Sequence, residues 1–360
     1  MGDQRIGILT SGGDCPGLNA VLHGVVSAAQ RRNWEVVGFH EGFEGLLPPG
    51  SFEILTAESI RGIMPTGGTF LGTTNKGHFT PRTGWGDRNP SLAAELLQKA
   101  RETFQTLGLA GLIVVGGDGS LLTALHLSED GLPIVGVPKT IDNDLEATVI
   151  TFGFDSAISC VMESLDRLRT TTSSHRRVMV VEVMGRHAGW IALHGGMAGG
   201  ADAILIPEIP FRAERLAEVV VERTQRGCRG TLIVAAEGAA PRDGRQVRSQ
   251  TPSGETRLGG IGDWIAREIS ERTGQECRTC VLGHLQRGGV PTAMDRNLGQ
   301  HFGVRAVELI EAGDFGKMVS FQNDHTVAVP IAQAVHRLRR VSPGSEFVRT
   351  ARELSIAFGD

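Results

Sequence analysis

The chain lacks any apolar run approaching the ~18 residues that a membrane-crossing helix needs. It also lacks the apolar core of a secretion signal: Met1-Gly2-Asp3-Gln4-Arg5 leads at once into a short apolar run. An excess of one charge is missing too. Thirty-six Lys and Arg stand against 40 Asp and Glu, a formal net charge of −4, with no long block of like sign. Such a balance offers no basic face to nucleic acid and no patch to a membrane surface. The expectation is a soluble, cytoplasmic protein with neither kind of partner.

Cysteine is scarce. Five residues (Cys15, Cys160, Cys228, Cys277 and Cys280) in a chain of 360 do not make a disulfide framework. Cys277 and Cys280 have C-x-x-C spacing, but without a second Cys or His pair this is a weak metal signal. A redox pair and two ordinary strand residues are the other readings, and a reduced compartment suits the last. Two glycine signatures are absent as well. Neither G-x-G-x-x-G nor G-x-x-x-x-G-K-[ST] occurs, which removes the usual mark of a nicotinamide dehydrogenase and of a P-loop nucleotidase.

Glycine itself is abundant, 49 residues, often paired: Gly12-Gly13, Gly67-Gly68, Gly116-Gly117, Gly195-Gly196, Gly288-Gly289. Most pairs end an apolar run, which points to strand-to-helix turns where backbone approaches something closely. The pattern along the chain is alternation. Strands are expected at 5–10, 35–39, 111–115, 133–137, 178–183, 203–206 and 231–236. Helices are expected at 18–31, 91–107, 121–127 and 154–170. Continuous apolar strands separated by helices imply parallel sheets covered on both faces. At this length two domains are expected, breaking near residue 150. Residues 242–254 read as a surface loop. A basic helix is expected to end near Arg340, and the last 20 or so residues read as a peripheral extension.

Four clusters carry chemistry. Thr10-Ser11-Gly12-Gly13-Asp14-Cys15-Pro16-Gly17 lies between a strand and a helix, as a phosphate-facing turn or simply a tight one. In Val115-Gly116-Gly117-Asp118-Gly119-Ser120, a carboxylate stands where an anion would bind. A bridging Mg²⁺ on Asp118 resolves that conflict, and a plain helix cap is the alternative. Pro138-Lys139-Thr140-Ile141-Asp142-Asn143-Asp144 has two acids with a Lys and a Thr. Phosphoryl transfer to an alcohol needs one carboxylate to take the proton and another to help hold metal; a Pro/Asn/Asp turn explains the breakers but not Lys139. The fourth cluster is basic: Arg176-Arg177, Met184-Gly185-Arg186, Arg278 and His284-Leu285-Gln286-Arg287, whose guanidinium forks suit phosphate.

With these clusters in place, the segments GILTSGGDCPGLNA, GGTFLGT, VVGGDGS, PKTIDND, FGFDSA, SSHRRVMVVEVMGRHAG, VAAEG and RTCVLGHLQRGG resemble the phosphofructokinase family, in matching order over residues 5 to 340. The resemblance implies an α/β protein of two Rossmann-like three-layer lobes with largely parallel sheets and an active site in the cleft between them. One lobe, residues 1–153 plus 286–336, would bind the phosphoryl donor. The other, residues 154–285 plus 337–360, would bind fructose 6-phosphate. The implied reaction moves a phosphoryl group onto the C1 hydroxyl of fructose 6-phosphate, as in glycolysis. Asp142 would be the base, assisted by Thr140, Arg186 and Gly13. Asp118 and Asp144 would hold Mg²⁺. Gly13, Phe43, Lys76, Gly117, Asp118, Gly119, Ser120 and Lys139 would line the donor. Thr140, Asp142, Asp144, Met184, Gly185, Arg186, Glu237, His284 and Arg287 would meet the sugar phosphate. Arg177 and Arg278 resemble arginines that the family supplies from a neighbouring subunit, implying a homodimer or homotetramer.

The donor motifs are mixed. ATP-using members resemble GGDGS with PGTIDND, and pyrophosphate-using members resemble GGDDS with PKTIDND; this chain pairs Gly119 with Lys139. Gly119 leaves open the space that a nucleotide α-phosphate needs, so ATP is the expected donor and pyrophosphate the alternative. A non-catalytic sugar-phosphate or nucleotide sensor is a second alternative, against which the presence of Asp118, Thr140, Asp142 and Arg186 speaks. Asn75, followed by Lys76, stands where bacterial members carry an arginine. His23, Ser27 and Thr56 replace arginines of the bacterial effector site, so an altered or lost effector response is expected.

Overall fold

The computed structural model describes residues 4–74, 77–79, 92–242, 244, 246–250 and 256–360. The chain begins β1 (Arg5–Ser11), α1 (Leu18–Gln30), β2 (Glu35–Phe39), β3 (Phe52–Leu55), α2 (Ala94–Leu107), β4 (Leu109–Gly116), α3 (Asp118–Glu129), β5 (Ile134–Pro138). It continues α4 (Phe154–His175), β6 (Val178–Val183), α5 (Trp190–Ala198), β7 (Ala203–Leu205), α6 (Ala213–Gln225), β8 (Thr231–Ala236), β9 (Arg248–Gln250), β10 (Thr256–Leu258), α7 (Ile261–Thr273), β11 (Cys277–Val281). It closes α8 (Ala293–Glu311), β12 (Lys317–Gln322), β13 (His325–Pro330), α9 (Ile331–Val335), α10 (Glu346–Glu353). Two compact units result. The first holds Met1–Ile141, Leu145–Asp155 and Arg287–Leu338; the second holds Asp142–Asp144, Ser156–Gln286 and Arg339–Asp360.

The first unit is built on a seven-stranded sheet, ordered β13-β12-β5-β4-β1-β2-β3. Its central strands are parallel with largely apolar cores, and only the edges β3 and β13 run antiparallel. Burial of Ile6, Ile8, Leu112, Ile113, Val114, Ile134 and Val135 explains why these runs form strands covered on both faces. Register matters most here. Ser11 lies opposite Gly116, and Gly116 opposite Pro138, so β1, β4 and β5 end at one level. The chain leaves β1 toward β2 on one side and returns to β4 on the other. Such a reversal opens a crevice beyond the strands' carboxyl ends. Along one helix of this unit, Gly299 and Gly303 of α8 let α1 approach closely: a Cβ on Gly303 would stand 2.5 Å from Val21 O, and one on Gly24 2.6 Å from Gln300 O.

The second unit has a four-stranded parallel sheet, β11-β6-β8-β7. Val183 of β6 pairs with Ala236 of β8, which levels the ends from which Met184 and Glu237 follow. Residues 357–359 are not a peripheral extension. Ala357 bridges Ala203 in parallel, Ile204 N–H donates to Ala357 O at 2.8 Å, and Phe358 is buried, so the tail closes the β7 edge.

Other expectations shift. The basic helix near Arg340 is only α9, ending at Val335; beyond it Leu338 bridges Leu145 in an extended segment. The surface loop at 242–254 contains β9, which pairs antiparallel with β10. Helix α4 runs on to His175, and α3 starts at Asp118, so Asp118 sits in its first turn. Cys277 and Cys280 both lie in β11 as free thiols. Three residues apart, they point to opposite faces of the strand and cannot pair with each other. Burial pushes the Cys277 thiol up to about 11, and the thiol is correspondingly inert. Among the described residues, no helix is long and apolar enough to cross a membrane.

Candidate functional site

Three turns follow the level ends of β1, β4 and β5 in the first unit. In the first turn, Gly12 has φ 85°, a left-handed backbone that glycine adopts freely. Thr73 Oγ1 donates to Gly12 O at 2.6 Å, and Thr10 Oγ1 to Gly72 O at 2.9 Å, so the residues around Gly72 dock on this turn. The second turn opens α3. Ser120 Oγ donates to Ser11 Oγ at 3.0 Å, and a Cβ on Gly116 would collide with Ser120 Cβ at 2.3 Å. A Cβ on Gly119, by contrast, would meet nothing within 4 Å. The third turn carries Lys139, whose N–H donates to Gly116 O at 2.9 Å.

Lys139 is 4% exposed, and its ammonium donates to Gly13 O. Burial lowers its pKa most, the Arg287 guanidinium lowers it further, and Asp14 and Asp118 pull the other way. Arg287 Nη1 donates to Asp14 O at 3.1 Å and would stand 2.7 Å from a Cβ on Gly13. Two cations therefore brace the Gly12–Asp14 turn. A cation on a turn carbonyl leaves the turn's N–H groups to an incoming anion.

The second unit carries the other set. Asp142 is half-buried, and Asn143 and Asp144 are buried. After β6, the loop 184–189 is stitched to the turn after β8: Glu237 N–H donates to Val183 O at 2.8 Å and Gly238 N–H to Gly185 O at 3.2 Å. A Cβ on Gly238 would lie 2.1 Å from Arg186 O, so only glycine fits this approach. Arg186 is exposed. The Glu237 carboxyl is pushed up to about 7, first by burial and then by the Asp142 and Glu182 carboxylates, with Arg186 opposing. Glu182 is 3% exposed and accepts from Gly262 N–H at 2.8 Å and Gly260 N–H at 3.1 Å. It thereby caps α7, where a negative charge is favoured.

A phosphofructokinase family model matches residues 5–310. The chain belongs to the phosphofructokinase family. An ATP-dependent 6-phosphofructokinase of Chloroflexus aurantiacus is 52% identical over 358 residues, covering 99% of this chain and 98% of that one. A pyrophosphate--fructose 6-phosphate 1-phosphotransferase of Streptomyces coelicolor is 47% identical over 361 residues, covering 99% of this chain and 100% of that one. Among solved structures, the phosphofructokinase of Pichia pastoris in its T-state matches with a TM-score of 0.82 at 30% identity. The match covers 99% of this chain but 37% of the yeast chain, so this chain spans little more than a third of that length.

Against the phosphofructokinase pattern, Gly13, Gly117, Asp118, Gly119, Ser120 and Lys139 come together at the strand ends of the first unit, and Arg287 joins them at the Gly13 turn. Phe43 does not stand open: it is 5% exposed, with its ring 5.5 Å from that of Phe79. Lys76 lies outside the described residues. In the second unit, Met184, Gly185, Arg186 and Glu237 gather at the carboxyl ends of β6 and β8, with His284 exposed shortly after β11. Arg177 and Arg278 do not join them. Both contact Glu276 Oε1, at 3.3 and 2.6 Å, at the amino ends of β6 and β11. Gln286 stands in the fourth cluster of the sequence but is assigned no role there. It is 1% exposed, and its Oε1 accepts from Met184 N–H at 3.3 Å. An uncharged polar residue inside the basic HLQRGG run was the available signal.

Proposed function

We propose that the chain is an ATP-dependent 6-phosphofructokinase, moving the γ-phosphoryl of Mg-ATP to the C1 hydroxyl of fructose 6-phosphate in the cytoplasm. The observation that carries this reading is the common level of Ser11, Gly116 and Pro138, which gathers three turns at one edge. One of those turns opens α3, whose first N–H groups have no partner within the helix, and Gly119 leaves room beside them. In the proposed chemistry, Asp142 accepts the C1 hydroxyl proton as that oxygen attacks. Arg186 and Thr140 steady the charge on the transferring group, and the Gly13 and Gly119 turns cradle the donor phosphates. Met184, Gly185, Glu237, His284 and Arg287 are assigned to the sugar phosphate.

Asp118 and Asp144 are assigned to Mg²⁺, which when bound supplies positive charge across the donor phosphates. No group of three or more His, Cys, Asp or Glu side chains among the described residues could cage a metal. Mg²⁺ does not ask for such a cage: it takes one or two carboxylates and completes its shell with phosphate and water. Arg278 and Arg177 lie roughly 17 and 23 Å along the strands from Met184 and Glu237. This spacing supports their service to a neighbouring subunit's site in a homodimer or homotetramer.

Replacing Asp142 with Asn tests the assignment. Turnover is expected to fall by about 10²–10⁴, with fructose 6-phosphate binding, read by calorimetry, nearly unchanged. A variant with normal kcat would remove Asp142 as the base. The pyrophosphate-dependent reading is favoured by one observation, the buried Lys139 ammonium at Gly13 O, which suits a small, highly charged donor.

A further inference from the structure

Arg339 belongs to none of the sequence clusters, yet it touches the Asp142–Asp144 segment twice. Its main-chain N–H donates to Asp144 O at 2.8 Å, and its Nη1 donates to Asn143 O at 3.2 Å. Its guanidinium carbon stands 4.4 Å from the centroid of the Trp190 ring, and the indole N–H returns a bond to Arg339 O at 2.9 Å. Trp190 is 8% exposed and opens α5, immediately after the 184–189 loop. Two residues further on, Val341 N–H donates to Glu208 Oε1 at 2.9 Å, and the same carboxylate oxygen accepts Gly189 N–H at 3.1 Å. Residues 339–341 thus tie the acid segment to the end of the loop assigned to the sugar.

The acid segment needs holding. Asn143, between the two acids, has φ 50°, a left-handed backbone that asparagine adopts more readily than most side chains but that still leaves a sharp turn between the acids to be fixed. A charged donor on the Asn143 carbonyl is stronger than a neutral one, and the indole face adds a cation–π contact that fixes the guanidinium plane. Lysine cannot reproduce the stacked plane and the fork together.

We propose that Arg339 is a positioning residue for phosphoryl transfer, holding the Asn143 and Asp144 carbonyls so that the Asp142 carboxylate keeps its place against the sugar-binding loop. This rests on Asp142 being the base of the proposed reaction. The main-chain bond to Asp144 and the indole bond survive any change of side chain, while substitution removes the Asn143 bond and the ring stack.

The test is Arg339→Ala in the full-length chain, assayed with fructose 6-phosphate and ATP. Misplacing a reacting group by about 1 Å costs up to about 10² in rate, so kcat is expected to fall at least tenfold while both KM values stay within about twofold. Millimolar guanidinium chloride is expected to restore part of the loss in the variant and not to activate the wild type. A kcat within twofold of wild type, or a raised KM at unchanged kcat, overturns the proposal. Should Arg339→Ala fail to fold, Arg339→Lys decides: kcat down about threefold at constant KM supports the role, and a wild-type kcat overturns it. A wild-type chain inactive with ATP and pyrophosphate alike would remove the reading of Asp142 itself, and the proposal with it.

Discussion

Glu237 shows how one residue's surroundings set its chemistry. Burial and two neighbouring carboxylates push its pKa up to about 7, well above the ordinary 4.5 of a glutamate. The sign follows directly. A carboxyl raised in the folded state binds its proton there more tightly than in the unfolded chain, so its contribution to stability is greatest below 4.5 and is lost as pH rises to about 7. Sugar binding is expected to run the opposite way, because the ionised carboxylate is the better acceptor for sugar hydroxyls. In the free enzyme kcat/KM for fructose 6-phosphate should therefore rise with pH through an apparent pKa near 7. Glu237→Gln cannot ionise and should flatten that limb; a variant whose profile matches wild type would contradict the assignment. At this scale the acids, glycines and arginines could be proposed from sequence because each stands in a local motif. Arg339 and Gln286 could not, since their partners, Asn143, Asp144 and Met184, lie far away in the chain. Nor could the sequence tell that Phe43 is covered by Phe79.

Among elements, the α1–α8 pair shows backbone proximity deciding a residue. A Cβ on Gly303 would stand 2.5 Å from Val21 O and 2.9 Å from Val25 N, both main-chain atoms that cannot turn aside. Alanine would add about 1 kcal/mol of helix propensity, but forcing the helices apart costs about 1–3 kcal/mol or more. The clash should win, and Gly303→Ala is expected to lower the melting temperature by several degrees in a thermal scan; a raised Tm would contradict the close approach. Strands β1, β4, β5, β6 and β8 were legible as continuous apolar runs because both their faces are buried. The β12–β13 hairpin was not. Its residues are mixed, and it turns through Asn323 and Asp324, both at positive φ, rather than through glycine. The basic run 336–340 has helical composition, yet it is extended where it pairs with Leu145 and Asp144, so tertiary pairing overrides propensity there.

For the whole molecule, the two-unit α/β plan follows from strand–helix alternation, and the unit boundary adds something alternation does not reveal. Asp142–Asp144 belongs with the second unit although Ile141 and Leu145, on either side, belong with the first. The donor remains the point on which the sequence motifs divide, Gly119 against Lys139, and the relatives carry both names, ATP-dependent at 52% identity and pyrophosphate-dependent at 47%. ATP is the proposed donor, in keeping with Gly119 and with the open space beside it, where a Cβ would meet nothing within 4 Å. The most direct measurement is the initial rate of fructose 1,6-bisphosphate formation from fructose 6-phosphate and Mg²⁺, with ATP and pyrophosphate compared at equal concentration. The account predicts turnover with ATP and ADP released in step with the bisphosphate; product formed with pyrophosphate alone would contradict it.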